Sequence, residues 1–118
     1  MAADPYTRAF TNYRIVDGDT LANVDVDLGY HIAARGIEFR VARINCPERH
    51  KPTLDAGNAA MGFTEDWLFL HARHGGLYAT TEKTDSFGRY LAEITCADGH
   101  NLSDDLLASG NAVLYKAK

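Results

Sequence analysis

The stretch Asp17-Gly18-Asp19-Thr20-Leu21-Ala22-Asn23-Val24-Asp25-Val26-Asp27-Leu28 decides how this chain is read. Val24, Val26 and Leu28 alternate with Asn23, Asp25 and Asp27, the period of a half-buried β-strand. Before the strand stand two aspartates two positions apart, which on an extended chain point to the same side. Gly18 is read as permitting the backbone kink that brings them together. Two adjacent carboxylates repel unless a cation or protons neutralise them. Taken alone, Asp-Gly-Asp-Thr is a weak signal, because Asp-Gly usually marks a plain turn.

Working outward, Thr11 to Asp17 reads as a strand entering that turn. Gly29 and Tyr30 suit a turn into a third strand over 31–44, with Ile37, Phe39 and Val41 on one face. Pro47 and Pro52 bound an irregular loop. From Asp55 to His74 the period changes: Ala56, Ala60, Phe63, Trp67 and Leu70 fall at helical spacing, and Gly75-Gly76 stops the helix. Leu77 to Thr81 and Arg89 to Thr95 read as strands around an Asp85–Gly88 turn. A short helix follows, capped by Asn101 or Ser103, with Leu102, Leu106 and Leu107 inward and Gly110 at its end. Val113 to Tyr115 makes a last short strand. The pattern predicts an α+β, mainly β chain: a five-stranded Greek-key barrel of the OB type. One helix lies between strands 3 and 4, and a short helix follows strand 5.

The 118 residues fit one domain spanning 1–118, with 46% hydrophobic and 24% charged residues as in ordinary globular proteins. No apolar run is long enough for a membrane span. The N-terminus lacks a signal-peptide pattern, which predicts a cytoplasmic chain, or a secreted one whose leader has been removed. Two cysteines make no disulfide framework, and Cys96 reads as a small core residue. A net charge of −4 argues against coating nucleic acid by bulk electrostatics. Between Arg35 and Lys51, however, Arg35, Arg40, Arg43, Arg49 and Lys51 outnumber Glu38 and Glu48. That excess suits either a solvated loop or a local nucleic-acid contact.

Arg40 interrupts a strand otherwise lined by Ile37, Phe39, Val41 and Ile44, so its guanidinium needs a structural acid or a phosphate. Asn45-Cys46-Pro47-Glu48 closes that strand. Asn45 offers a side-chain oxygen and Cys46 a carbonyl, both acceptable to a hard cation. Pro47 stiffens the turn presenting Glu48. Arg89, after Phe87-Gly88, supplies a second guanidinium, or is a surface arginine.

In this order the motifs Val16-Asp17-Gly18-Asp19-Thr20, Phe39-Arg40 through Pro47-Glu48, and Asp85-Ser86-Phe87-Gly88-Arg89 resemble the staphylococcal nuclease (thermonuclease) family of OB-fold phosphodiesterases. The likeness runs from about Tyr13 to Tyr115 and includes Leu106 to Ala112 as the family's second helix and its exit. The resemblance implies a calcium-dependent nuclease acting on DNA or RNA and leaving 3′-phosphate ends. It implies Asp17, Asp19, Asn45 and the Cys46 carbonyl as the calcium site, and Arg40, Glu48 and Arg89 as the catalytic groups. Phe87, Tyr115, Arg49 and Lys51 would contact the substrate.

Some positions depart from the family pattern. Asn45 replaces an aspartate ligand of the best-known member, and Ser86-Phe87 a lysine-tyrosine pair, which predicts weaker binding of calcium and of nucleotide. The chain stops at Lys118, short of that member's C-terminal helix, which predicts either compensation within the core or a homodimer or protein partner over the surface left bare. A catalytically silent OB module binding nucleic acid or protein is the competing reading. A small-ligand or oligosaccharide barrel is a third, with no dedicated feature in the sequence.

Overall fold

The computed structural model describes residues 7–48, 52–73, 75–84 and 88–115. They form β1 (Thr7–Thr11), β2 (Arg14–Asp17), β3 (Thr20–Gly29), β4 (Ile32–Val41), β5 (Ile44–Asn45), α1 (Leu54–Ala72), β6 (Leu77–Thr84), β7 (Tyr90–Cys96), α2 (Leu102–Ser109) and β8 (Val113–Leu114). The ladder runs β1-β6-β7-β4-β3-β2, and a further β1–β3 pairing turns it back on itself as a partly closed barrel. All its pairings are antiparallel except β4–β7, which is parallel. The fold is α+β, mainly β and OB-like, with α1 between the third and fourth barrel strands.

The five expected strands are present, but two are broken. The first extends back to Thr7 and divides at Asn12, whose φ of 51° lies in the left-handed region. The bend lets one continuous segment pair with β6 through β1 and with β3 through β2. The third strand ends at Val41, not at residue 44: Arg43 takes a φ of 72°, and the chain re-enters as β5, paired with β8. The β3–β4 connection is a two-residue loop of Tyr30 and His31, both with positive φ, as hairpins of primed type require.

Side chains from all sides fill the interior, with Leu21, Val24, Phe39, Val41, Ile44, Leu68, Ile94, Leu102 and Leu106 essentially inaccessible. Phe10 meets Phe39 edge to face at 5.4 Å. Leu28 shares the inward parity of Val24 and Val26 but runs past the core into solvent.

The buried face of α1 is rotated from the expected stripe. It consists of Gly57, Ala60, Thr64, Trp67, Leu68 and His71, while Ala56 and Leu70 are exposed. Thr64 and His71 tolerate burial because each has a polar partner: the Gly18 carbonyl at 2.6 Å and the Asp98 carboxylate at 2.9 Å. In α2 the cap is Asn101, whose side chain accepts the Asp104 N–H at 3.2 Å. Ser103 instead is buried and donates to the Ala42 carbonyl at 2.8 Å. Gly110 ends α2 with a φ of 81°. No helix among the described residues is long and apolar enough to cross a membrane.

Candidate active site

The β3–β4 register sets Thr20 opposite Arg40, so Asp19 lies at the strand end beside the arginine. The main chain reinforces this, the Val41 N–H donating to the Asp19 carbonyl at 2.8 Å. The parallel β4–β7 register sets Arg40 opposite Leu91, which brings Arg89, just before β7, to the same end of the barrel. Two arginines 49 positions apart in sequence thereby reach one cleft.

That cleft has a volume of about 700 Å³, and its walls include Asp17, Asp19, Arg40, Asn45, Cys46, Glu48, Arg89 and Tyr115. Phe87, Arg49 and Lys51 lie outside the described residues. Tyr115 is exposed, its N–H bonded to the Arg43 carbonyl at 2.8 Å just after β8.

Asp19 is buried, and both its oxygens are engaged. Oδ2 accepts the Cys46 N–H at 2.9 Å, and Oδ1 accepts the Thr20 hydroxyl at 3.2 Å. Arg40 donates through Nη1 to the Val41 carbonyl and through Nη2 to the Ile44 carbonyl, both at 2.8 Å. Nη2 also meets Oδ1 of Asn45, and Nη1 stands 3.4 Å from Asp19 Oδ2. Two main-chain carbonyls thus fix the plane of the guanidinium, and the neighbouring acid balances its charge. Arg89 Nε lies 3.9 Å from Glu38 Oε2.

Gly18 does not occupy the left-handed region, so conformational freedom is not what it contributes. Close approach is. A Cβ built on it would come within 2.9 Å of both the Ala60 Cβ and the Cys46 Sγ. The Asp-Gly-Asp turn therefore lies directly against α1, and Thr64 holds it there.

The metal-ligand candidates fit a hard cation by the chemistry of their donors, which are all oxygen: two carboxylates, an amide and a carbonyl. The bond from Arg40 leaves a second lone pair on the Asn45 oxygen. The Cys46 thiol is pushed up to about 12, first by burial and then by the Asp19 carboxylate, with Asp17 adding and Arg40 opposing. With no metal bound it therefore stays protonated.

Sequence reasoning missed Thr64, whose only signal is a hydroxyl at a core position one turn beyond Ala60. It counted Arg43 in the local positive excess, where the partners that engage it could not be seen. Arg43 donates to Glu93 at 2.5 and 2.9 Å and to Asp104 at 3.0 Å. The bond to Glu93 is the main reason its pKa is raised, although burial opposes it. Its charge is committed to holding the left-handed turn after β4.

No curated protein matches the chain. The sequence profile described as Staphylococcal nuclease homologue matches residues 38–118.

Proposed function

The chain belongs to the staphylococcal nuclease homologues, and on that premise we propose that it is a calcium-dependent nuclease hydrolysing phosphodiester bonds of DNA or RNA. The observation that carries this reading is one cleft that holds two guanidiniums, a glutamate and an oxygen-only donor set. Asp17, Asp19, Asn45 and the Cys46 carbonyl would hold calcium, which supplies a Lewis acid for a phosphoryl oxygen.

The remaining chemistry falls to the chain's own side chains. Arg40, held at the mouth of the cleft by the Val41 and Ile44 carbonyls, turns from Asn45 and Asp19 to grip a non-bridging oxygen. Arg89 approaches the same phosphate from the start of β7. As water adds to phosphorus, negative charge grows on the phosphoryl oxygens, and both guanidiniums strengthen their hold there. Glu48, carried on the loop that follows β5, orients the water and accepts its proton. The bond from phosphorus to the 5′ oxygen breaks, that oxygen takes a proton from solvent, and a 3′-phosphate end is left. Tyr115 offers a ring against which a base can stack.

The test is digestion of plasmid, single-stranded DNA and RNA in calcium and in chelator. Glu48→Ala and Arg89→Ala are assayed alongside, and the ends are typed by whether phosphatase restores polymerase extension. Calcium-dependent cleavage lost in both variants supports the proposal. Cleavage that persists in the double variant rejects it. One observation favours a second reading, a nucleic-acid-binding module without activity: Arg40 bonds Asn45 and sits beside Asp19, both wanted by the ion. Binding of single-stranded DNA without any cleavage in calcium would select it.

A further inference from the structure

Away from the cleft, where α1 meets the β7–α2 turn, two histidines, a cysteine and two aspartates crowd together. None of them lines the cleft. The sequence reads Cys96-Ala97-Asp98-Gly99-His100, with His71 arriving from the last turn of α1. His71 Nδ1 is 2.9 Å from Asp98 Oδ2, and the Cys96 thiol donates to Asp98 Oδ1. Ligand atoms of His71, Cys96 and Asp98 all lie within 4.8 Å of one another. His71, His100 and Asp105 form a second such group, in which His100 Nδ1 stands 2.9 Å from Asp105 Oδ2.

We propose that His71, Cys96 and Asp98 form a binding site for a zinc-like divalent cation, distinct from the cleft. Three observations bear on this. The donor set is one sulfur, one nitrogen and one oxygen, which suits zinc and which calcium would not choose. The charges balance: a thiolate and a carboxylate neutralise the ion, and the imidazole binds neutral. On binding, the thiol proton leaves to solvent and the hydrogen bonds that converge on Asp98 give way to metal bonds.

The third is the shape of the site. Cys96 and His71 are buried, with the Trp67 ring 4.4 Å from that of His71, whereas Asp98 is exposed. The site is closed on its protein side and open on one side, where an ion can enter and a water can complete four-coordination. Asp105 also binds the Trp67 indole N–H at 2.7 Å, which keeps it in the structural frame of the site. Cys96, the soft donor, lies at the far end of β7 from Arg89, so the two metals would not compete.

The experiment is a titration of the full chain with Co²⁺ in saturating calcium, read by absorbance, with thermal unfolding in Zn²⁺ and in chelator as a second readout. The expected result is one cobalt per chain with a thiolate-to-cobalt charge-transfer band. Zn²⁺ should displace it and should raise the unfolding temperature. Cys96→Ser and His71→Asn should abolish the band, while Cys46→Ser and His100→Ala should keep it. Should Cys96→Ser not fold, Asp98→Asn, on the exposed side, provides the same test by weakening binding at least tenfold. Absence of a band in the wild-type chain overturns the proposal, as does its loss in Cys46→Ser. Binding that depends on His100 but not on Cys96 places the ion in the other group and equally overturns it.

Discussion

The buried hydroxyl of Thr64 donates to the carbonyl of Gly18 at 2.6 Å, tying the middle of α1 to the turn that carries both cleft aspartates. Thr64→Val keeps the shape and removes the donor, leaving a buried carbonyl unpaired at a cost of about 1–3 kcal/mol. Gly18→Ala forces a methyl group against Ala60 and Cys46, and overpacking of that kind costs about 1–3 kcal/mol. Urea denaturation measures both. Both variants should also weaken calcium binding, since the turn they disturb carries Asp17 and Asp19. A calcium affinity equal to wild type in each would show that the turn is positioned without α1.

Arg40 is fixed through its fork, whereas Arg89 faces the Glu38 carboxylate at 3.9 Å, an attraction an ammonium can keep, so replacement by lysine should separate them. Arg40 uses its fork on two carbonyls and on Asn45, and an ammonium cannot reproduce three fixed directions. Arg40→Lys should lose about 100- to 1,000-fold in kcat, as for deletion of one preorganised donor. Arg89→Lys should retain more activity than Arg40→Lys. Steady-state kinetics on a fluorogenic oligonucleotide reads the difference, with KM little changed in either variant.

Most of the barrel could be read in the sequence, because alternation at residues 23–28 and 37–41 and helical spacing after Asp55 are local signals. The convergence of Arg40 with Arg89 was not local. It depends on the parallel β4–β7 pairing, which no turn joins and no periodicity announces. The split of the third strand was hidden for a different reason. Its left-handed residue is Arg43, held by Glu93 and Asp104 from later elements, where a reader expects glycine or asparagine. The polar members of the α1 face escaped notice similarly, since Thr64 and His71 are buried only because distant partners satisfy them.

The Arg43–Glu93 pair gives stability a pH dependence whose sign can be stated. Burial pushes the Glu93 carboxyl up, but hydrogen bonds from Arg43 and Asn101 outweigh it, and the net shift is downward. A depressed folded-state pKa contributes stability that is fully present above the unfolded value and is lost as pH falls through the folded one. Stability should therefore decline below the ordinary glutamate range of about 4.3. Glu93→Gln should flatten that part of the profile while lowering stability at neutral pH. Thermal unfolding from pH 3 to 7 checks it, and parallel profiles for the two proteins would count against the pair.

Asn45 sits where one more negative charge would change the balance between Arg40 and a cation. Its oxygen already accepts from Arg40, whose Nη1 stands 3.4 Å from Asp19. Asn45→Asp adds a carboxylate to both relationships. With Asp17 and Asp19 it would raise the charge of the donor set from two to three, and calcium affinity in oxygen sites follows ligand charge. Calcium should then bind severalfold more tightly, by calorimetry in low salt. Arg40, facing a second acid, should become harder to draw onto a phosphate, so kcat should rise less than affinity does. Equal calcium affinities in the two proteins would mean that position 45 serves Arg40 alone and that the ion, where it binds, rests on Asp17, Asp19 and the Cys46 carbonyl.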